Sequence, residues 1–333
     1  MLRIVELFFI STIIGVLAPL SGAFGAPGAV REFAVKAVEY RLLKLQNVEA
    51  TCEMDVDRAP PSPALRDFLR KTMAAFRKEH PGAVIGPPME GRYRYHCQFS
   101  FFNGLARYEQ VALSQNAIEL GVLKVVQTLT PDRVEKFFPP KQGVILAQAG
   151  PVATMPITLV LGLRPLSHRH WMWVRQRQVQ KMAYTNMTGG RFSLTQKTAM
   201  GFEYIWIFRP KPTLELVAFK GYYKLPKGGT RWQYVRAAFS DFHTSANLLL
   251  PRTAKITLLG SPRFPGTLCR YFLRHITYTV GATANTPTRY FITWPRGCTV
   301  IDGRIDHVFH INRPTILSDK EIFRRLKKLN GTK

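Results

Sequence analysis

The chain has 333 residues, 46% of them hydrophobic, with four cysteines and a formal net charge of +26. That length and apolar content exclude a chain too small or too polar to bury a core, and allow one large β domain or two small ones. A positive field of this size attracts polyanions, although Lys and Arg that simply coat a sheet for solubility produce the same count.

Residues 1–23 read as a secretory signal peptide: Arg3 near the start, an apolar run from Phe8 to Leu20, then small residues at Ser21, Gly22 and Ala23. The alternative is a membrane anchor. The run is shorter than the roughly 20 residues that a span needs, so cleavage is expected, placing the mature chain in the periplasm or outside the cell. An exported protein rarely meets nucleic acid, so the expected anionic partner is a membrane surface or a cell-envelope polymer.

Arg31 to Gln46 has the spacing of an amphipathic helix, with Phe33, Val38, Leu42 and Leu45 on one face. A strand follows at Asn47 to Val56. Arg58 to Pro63 is proline-rich and reads as loop. Ala64 to His80 is a second helix, with Leu65, Phe68, Leu69, Met73 and Phe76 in a row.

From Gly91 the sequence alternates Tyr93, Tyr95, Cys97, Phe99 and Phe101 with Arg92, Arg94, His96, Gln98 and Ser100, the period of a strand with one buried face. Asn103-Gly104 supplies a type I′ turn, which needs positive φ at both central residues. A two-residue loop fixes the register: Phe102 opposes Leu105, Phe101 opposes Ala106, Phe99 opposes Tyr108, and Ser100 opposes Arg107.

Further short strands are expected in LGVLKVVQTLT, RVEKFFPP and GVILAQ. Met155 to Leu163 reads as a short helix or buried loop, and Ser167 to Lys181 as a helix. The second half is almost wholly β: RFSLTQK, FEYIWIFRP, LELVAFKGYYKL, RWQYVRAAFSDF, ANLLLPRTAKITLLG and the long alternating CRYFLRHITYTV. Gly228-Gly229 is a candidate tight turn. Ser318 to Lys328 is a basic helix opened by a Ser cap with Glu321 in its first turn. The expected fold is α+β and mainly antiparallel β: residues 31–333 form one domain, a single curved sheet with helices plugging or lining its concave face.

No constellation for catalysis is apparent. There is no nucleotide-binding glycine loop and no G-x-S-x-G turn. His168 and His170 lie two apart, and His307 and His310 three apart, without a carboxylate or third ligand near in sequence, so surface histidines are the stronger reading and no metal or cofactor is expected. Scarce acids weaken any paired-carboxylate mechanism. Cys52, Cys97, Cys269 and Cys298 match no zinc spacing. They are candidates for two disulfides or for buried thiols, with Cys52 and Cys97 expected on neighbouring strands, as are Cys269 and Cys298.

What remains is an aromatic-rich sheet. Most of its rings belong in a core. A strongly curved sheet also leaves part of its inner face for an apolar ligand, and Phe99, Phe101, Tyr108, Trp206, Phe208, Phe219 and Phe272 are the candidate lining.

Four segments carry a family resemblance: EYRLLKLQNVEATCEMDV, the FNGLARYEQ hairpin, LLLPRTAKIT, and YFITWPRGCTVIDGR. With Arg107, Glu109, Leu250-Pro251, Phe291, Pro295, Gly297, Thr299, Val300 and Asp302 in place, the chain resembles the LolA/LolB-like periplasmic lipoprotein carriers, and within them the planctomycete-type members. Cys298 between Gly297 and Thr299, and the stretch from Arg58 to Pro88, depart from that pattern. The resemblance implies an incomplete antiparallel barrel whose apolar inner face shelters lipid or lipoprotein acyl chains. The competing expectation is a basic secreted adaptor with a filled core, which binds an anionic polymer or a protein through its surface.

Overall fold

The hairpin at Asn103-Gly104 anchors the sheet. In the computed structural model both turn residues have positive φ, 47° and 89°, and the register is the one that the two-residue loop dictates. Residues 27–79, 90–119, 123–130, 133–147, 156–163, 174, 176–210, 213–224, 231–262, 265–281 and 287–330 are described. The segment expected to be a signal peptide, His168, His170 and Gly228-Gly229 lie outside them.

The strands are β1 (Asn47–Arg58), β2 (Gly91–Phe102), β3 (Leu105–Ala112), β4 (Lys124–Leu129), β5 (Arg133–Phe138), β6 (Gln142–Ala147), β7 (Ala183–Met187), β8 (Arg191–Lys197), β9 (Phe202–Arg209), β10 (Glu215–Lys224), β11 (Arg231–Ser245), β12 (Leu248–Leu259), β13 (Thr267–Val280), β14 (Thr293–Trp294), β15 (Thr299–Asp302), β16 (His307–His310) and β17 (Thr315–Ile316). The helices are α1 (Pro27–Lys44), α2 (Pro63–Glu79), α3 (Gln115–Glu119), α4 (Pro156–Val160), α5 (Gln176–Val179) and α6 (Asp319–Asn330). Fifteen strands form one sheet, in the order β16-β15-β6-β5-β4-β3-β2-β1-β13-β12-β11-β10-β9-β8-β7. It is curved, almost wholly antiparallel and not closed into a barrel. The exception is β15, which runs parallel to β6.

Alternation along the strands sorts side chains to two faces. The concave face holds the main core, with Val48, Ala50, Met54, Tyr95, Phe99, Phe101, Tyr108, Trp206, Phe219 and Leu273 among its members. Ala34, Val35, Val38 and Leu42 of α1 and Ile157, Leu159, Val160 and Leu161 of the α4 region cover it. The convex face is polar over β1: Asp55 pairs with Arg94 at 2.9 Å and Arg274 at 2.7 Å, and Asp57 with Arg270 at 3.2 Å.

A second core lies on the convex side at the β4–β6–β15 end. Val126, Ile145, Trp294, Val300, Phe309 and Ile322 make it up. Trp294 rests on the bare backbone of Gly143, where a Cβ would come within 2.0 Å of the indole. A buried ion-pair network ties the carboxy-terminal segment down. Arg133 meets Glu135 at 2.7 Å and reaches Asp319 at 3.2 Å, while the backbone N–H of Ile292 donates to Glu135 at 2.7 Å. Burial raises the Glu135 carboxyl above its ordinary value.

The strand expected over 269–280 forms, but its alternation changes phase. Cys269, Tyr271 and Leu273 point inward, and so does Ile276. Between them His275 takes a positive φ of 51°, and the pairing with β1 shifts between Thr51 and Glu53. This β-bulge lets one strand keep its apolar residues on one face across an odd spacing. Strands β7 and β16, which the sequence reading leaves out, pair at the two edges of the sheet.

Candidate functional site

Where α1 crosses the concave face over β8–β10, a cleft remains. Val38, Arg41 and Leu42 of α1 form one wall; Leu161, Val174, Val179 and Met182 the second; Leu194, Trp206, Phe208 and Leu216 of the sheet the floor. The void is about 10 Å³, the size at which one water molecule fits. Over β8–β10 the concave face is therefore closed by its helices rather than left as an open trough.

The lining is apolar except for two donors. Arg41 is 2% exposed. Its Nη1 donates to the Leu249 carbonyl at 3.0 Å, and its Nη2 is buried with no hydrogen-bond partner. Burial pushes this guanidinium down to about 10, against a smaller opposing effect of Tyr278. Trp206, 3% exposed, likewise buries its Nε1–H without an acceptor. Leaving a buried donor unmade costs about 1–3 kcal/mol, so two of them in one apolar cleft mark a place where an acceptor oxygen is favoured.

The expected lining residues separate into three groups. Trp206 and Phe208 border the cleft. Phe219 is fully buried behind them, edge-on to Trp206 at 5.4 Å, while Phe99, Phe101 and Tyr108 are buried elsewhere on the same face, under 5% exposed. Phe272 stands on the convex face instead: its register partners are Asp55 and Lys255, and the Lys255 ammonium sits 5.5 Å from its ring. Tyr271 takes the inward position beside it because both neighbours in the sequence are aromatic and only the pairing with β1 selects between them. Arg41 is the residue that sequence reasoning missed. A lone basic residue between Val38 and Leu42, on the apolar side of a helix, is the signal that could have found it.

All four cysteines are free and buried. Cys52 and Cys97 face each other across β1 and β2, and the Tyr108 hydroxyl donates to Cys97 Sγ at 3.0 Å. Cys269 belongs to the concave core and Cys298 to the convex one, so the expected neighbouring strands do not bring this second pair together.

At the far end of the sheet the concave side is less covered. Ile301 and Val308 form a cross-strand pair there, each 47% exposed, beside half-buried Val144. Lys136, the register partner of Val144, is half-buried on the same side, and burial lowers its amine.

No family model matches the chain, and no curated protein matches it. Solved structures do. A DUF1329 family protein from Desulfovibrio piger is similar, with 10% identity and a TM-score of 0.43 over 78% of this chain and 96% of that one. A LolA superfamily protein from Nitrosomonas europaea is similar too, at 10% identity and a TM-score of 0.31 over 76% of this chain and 96% of the other. No described helix is long and apolar enough to cross a membrane.

Proposed function

We propose that this chain is an exported carrier, active as a single half-barrel domain, that holds an acyl chain against the concave face of its sheet. The carboxyl or ester end of that chain lies at Arg41 and Trp206. One observation carries the reading: an otherwise apolar cleft contains two buried donors without acceptors. An acyl lipid offers what such a cleft lacks, oxygen acceptors on one end and apolar length on the other. Each CH₂ removed from water contributes about 0.8 kcal/mol.

The cleft as it stands has room for about one water molecule, so a chain enters only when α1 moves aside. Among the described residues, the polar contacts that such a movement breaks include Arg41 to the Leu249 carbonyl and Arg31 to the Gln180 carbonyl at 3.0 Å. The test is native mass spectrometry of protein from its own host, followed by uptake of a fluorescent fatty acid after delipidation. Co-purified lipid and saturable uptake are expected. Lipid-free protein that takes up no fatty acid refutes the reading.

The narrowness of the cleft over β8–β10 supports a second reading, an adaptor for an anionic envelope polymer. Lys220 and Arg236 favour it: they are exposed and directly opposite across β10 and β11 on the convex face. Like charges so placed repel, and a bound polyanion would relieve them. Retention on an anionic polysaccharide that Lys220→Glu/Arg236→Glu abolishes, with no lipid in the native spectrum, would establish this reading over the carrier.

A further inference from the structure

We propose that the convex face over β10 to β2 docks the protein on an anionic bilayer, through cations that stand on the crest of the sheet. This face lies on the opposite side from the cleft, and its test does not depend on what the cleft holds.

A row of register partners crosses six strands there. It runs from Lys220 of β10 through Arg236 of β11, Thr257 of β12, Arg270 of β13 and Asp57 of β1 to Arg92 of β2. At about 4.8 Å between neighbouring strands, the row is about 24 Å long. A second row lies two residues along, with Lys255, Phe272, Asp55 and Arg94 as successive partners. Alternation puts both rows on the convex face. Their neighbours in the sequence, Phe219, Val235, Ile256, Tyr271 and Val56, belong to the concave core.

The charge on this face is layered. Asp55 is shared by Arg94 and Arg274, at 2.9 and 2.7 Å, and Asp57 by Arg270 and Arg92, at 3.2 and 4.0 Å. The two carboxylates are recessed, 25% and 28% exposed, while the four guanidinium side chains are 46–89% exposed. Two acids cannot neutralise four cations. Each guanidinium has five N–H donors, more than its share of one carboxylate accepts. The aspartates thus hold the arginines in place and leave them donors for a further anion. Lys220, Arg236 and Lys255 are exposed as well, against one further acid, exposed Glu53, so the face carries a net +4. A surface built for solubility intersperses both signs. Here the outermost layer is nearly all cationic, and Lys220 opposes Arg236 directly, a placement that costs stability when nothing anionic is bound.

Shape selects the occupant. A convex face two rows wide meets a flat anionic surface with both rows at once. A single polymer strand lies along one row and leaves the other without a partner. Arginine takes phosphate through paired N–H bonds, and a bilayer presents its headgroup phosphates as a layer. Each Lys or Arg close to such a surface adds to the attraction.

The experiment is co-sedimentation of the purified protein with phosphatidylcholine vesicles, with and without phosphatidylglycerol. Binding is expected only to the mixed vesicles, weakening as salt is raised. Lys220→Glu/Arg236→Glu is expected to bind them about tenfold or more weakly, with no loss in thermal midpoint because both side chains are exposed. The control is Lys44→Glu/Lys181→Glu, the same change of charge among the segments that cover the concave face, and it is expected to bind within about threefold of wild type. Three results overturn the proposal. Wild-type protein ignores the mixed vesicles, whether or not an anionic polysaccharide column retains it. The convex-face variant binds as well as wild type. The control variant loses as much binding as the convex-face variant, which would make net charge, and not this face, the cause.

Discussion

Replacing Arg41 by Met tests whether the buried guanidinium serves the ligand or the fold. Arg41 is buried and lowered to about 10, from an ordinary arginine value of about 12.5. At about 1.4 kcal/mol for each tenfold change in proton affinity, burying this charge costs about 3 kcal/mol at neutral pH. The hydrogen bond to the Leu249 carbonyl returns part of that, since bonds to charged groups contribute about 1.5–3 kcal/mol. Methionine fills nearly the same length with flexible apolar atoms. Arg41→Met should therefore leave stability unchanged or raise it by about 1–2 kcal/mol, because replacing a buried ion by a well-packed apolar side chain is often neutral or stabilising. Urea unfolding at neutral pH reads the stability. Competition between a fatty acid and the matching fatty alcohol reads the function, and the preference for the acid should fall about tenfold. Two results refute the reasoning: a loss of more than about 2 kcal/mol, which makes Arg41 a structural strut, or an unaltered preference for the acid.

Gly143→Ala drives a methyl into the Trp294 ring and should cost about 1–3 kcal/mol or more in urea unfolding; a neutral result would show that Trp294 moves freely. Cys52 and Cys97 are direct cross-strand partners, whose Cα separation of about 4.5–5.5 Å falls within disulfide range. Refolding with oxidised glutathione should then give a single Cys52–Cys97 bridge in a non-reducing peptide map. A Cys269–Cys298 bridge would contradict the two separate cores. Hydrogen bonds from Arg324 and Arg325 hold Glu321 down to about 2. A carboxyl depressed on folding contributes stability that is present above its unfolded value and lost as pH falls toward the folded one. Glu321→Gln should flatten the acid limb of the pH–stability curve between about 4.5 and 2, by a small amount since the pair is largely solvated.

Residues whose fate is local were legible before the fold was known. The Asn103-Gly104 turn and the alternation on either side of it fix which residues pair between β2 and β3, because a two-residue loop admits one register. Helices α1 and α2 lie within a few residues of their periodic patterns. The candidate site was less legible. Trp206 and Phe208 reach the cleft, yet nothing in their strand sets them apart from Phe219, which packs behind them. Arg41 is one more basic residue in a sequence rich in them, until β12 supplies the carbonyl that it meets.

By itself the sequence determined the class of structure: short apolar-alternating segments and turn residues leave the chain little choice but an antiparallel sheet. Only tertiary structure decided which side of that sheet each ring occupies. In β13 both Tyr271 and Phe272 are aromatic, and a bulge at His275 resets the alternation, so pairing with β1 and β12 had to choose. It also decided that residues 292–322 build a second core on the convex side, because a long-range contact such as Trp294 on Gly143 leaves no trace in the spacing of either segment.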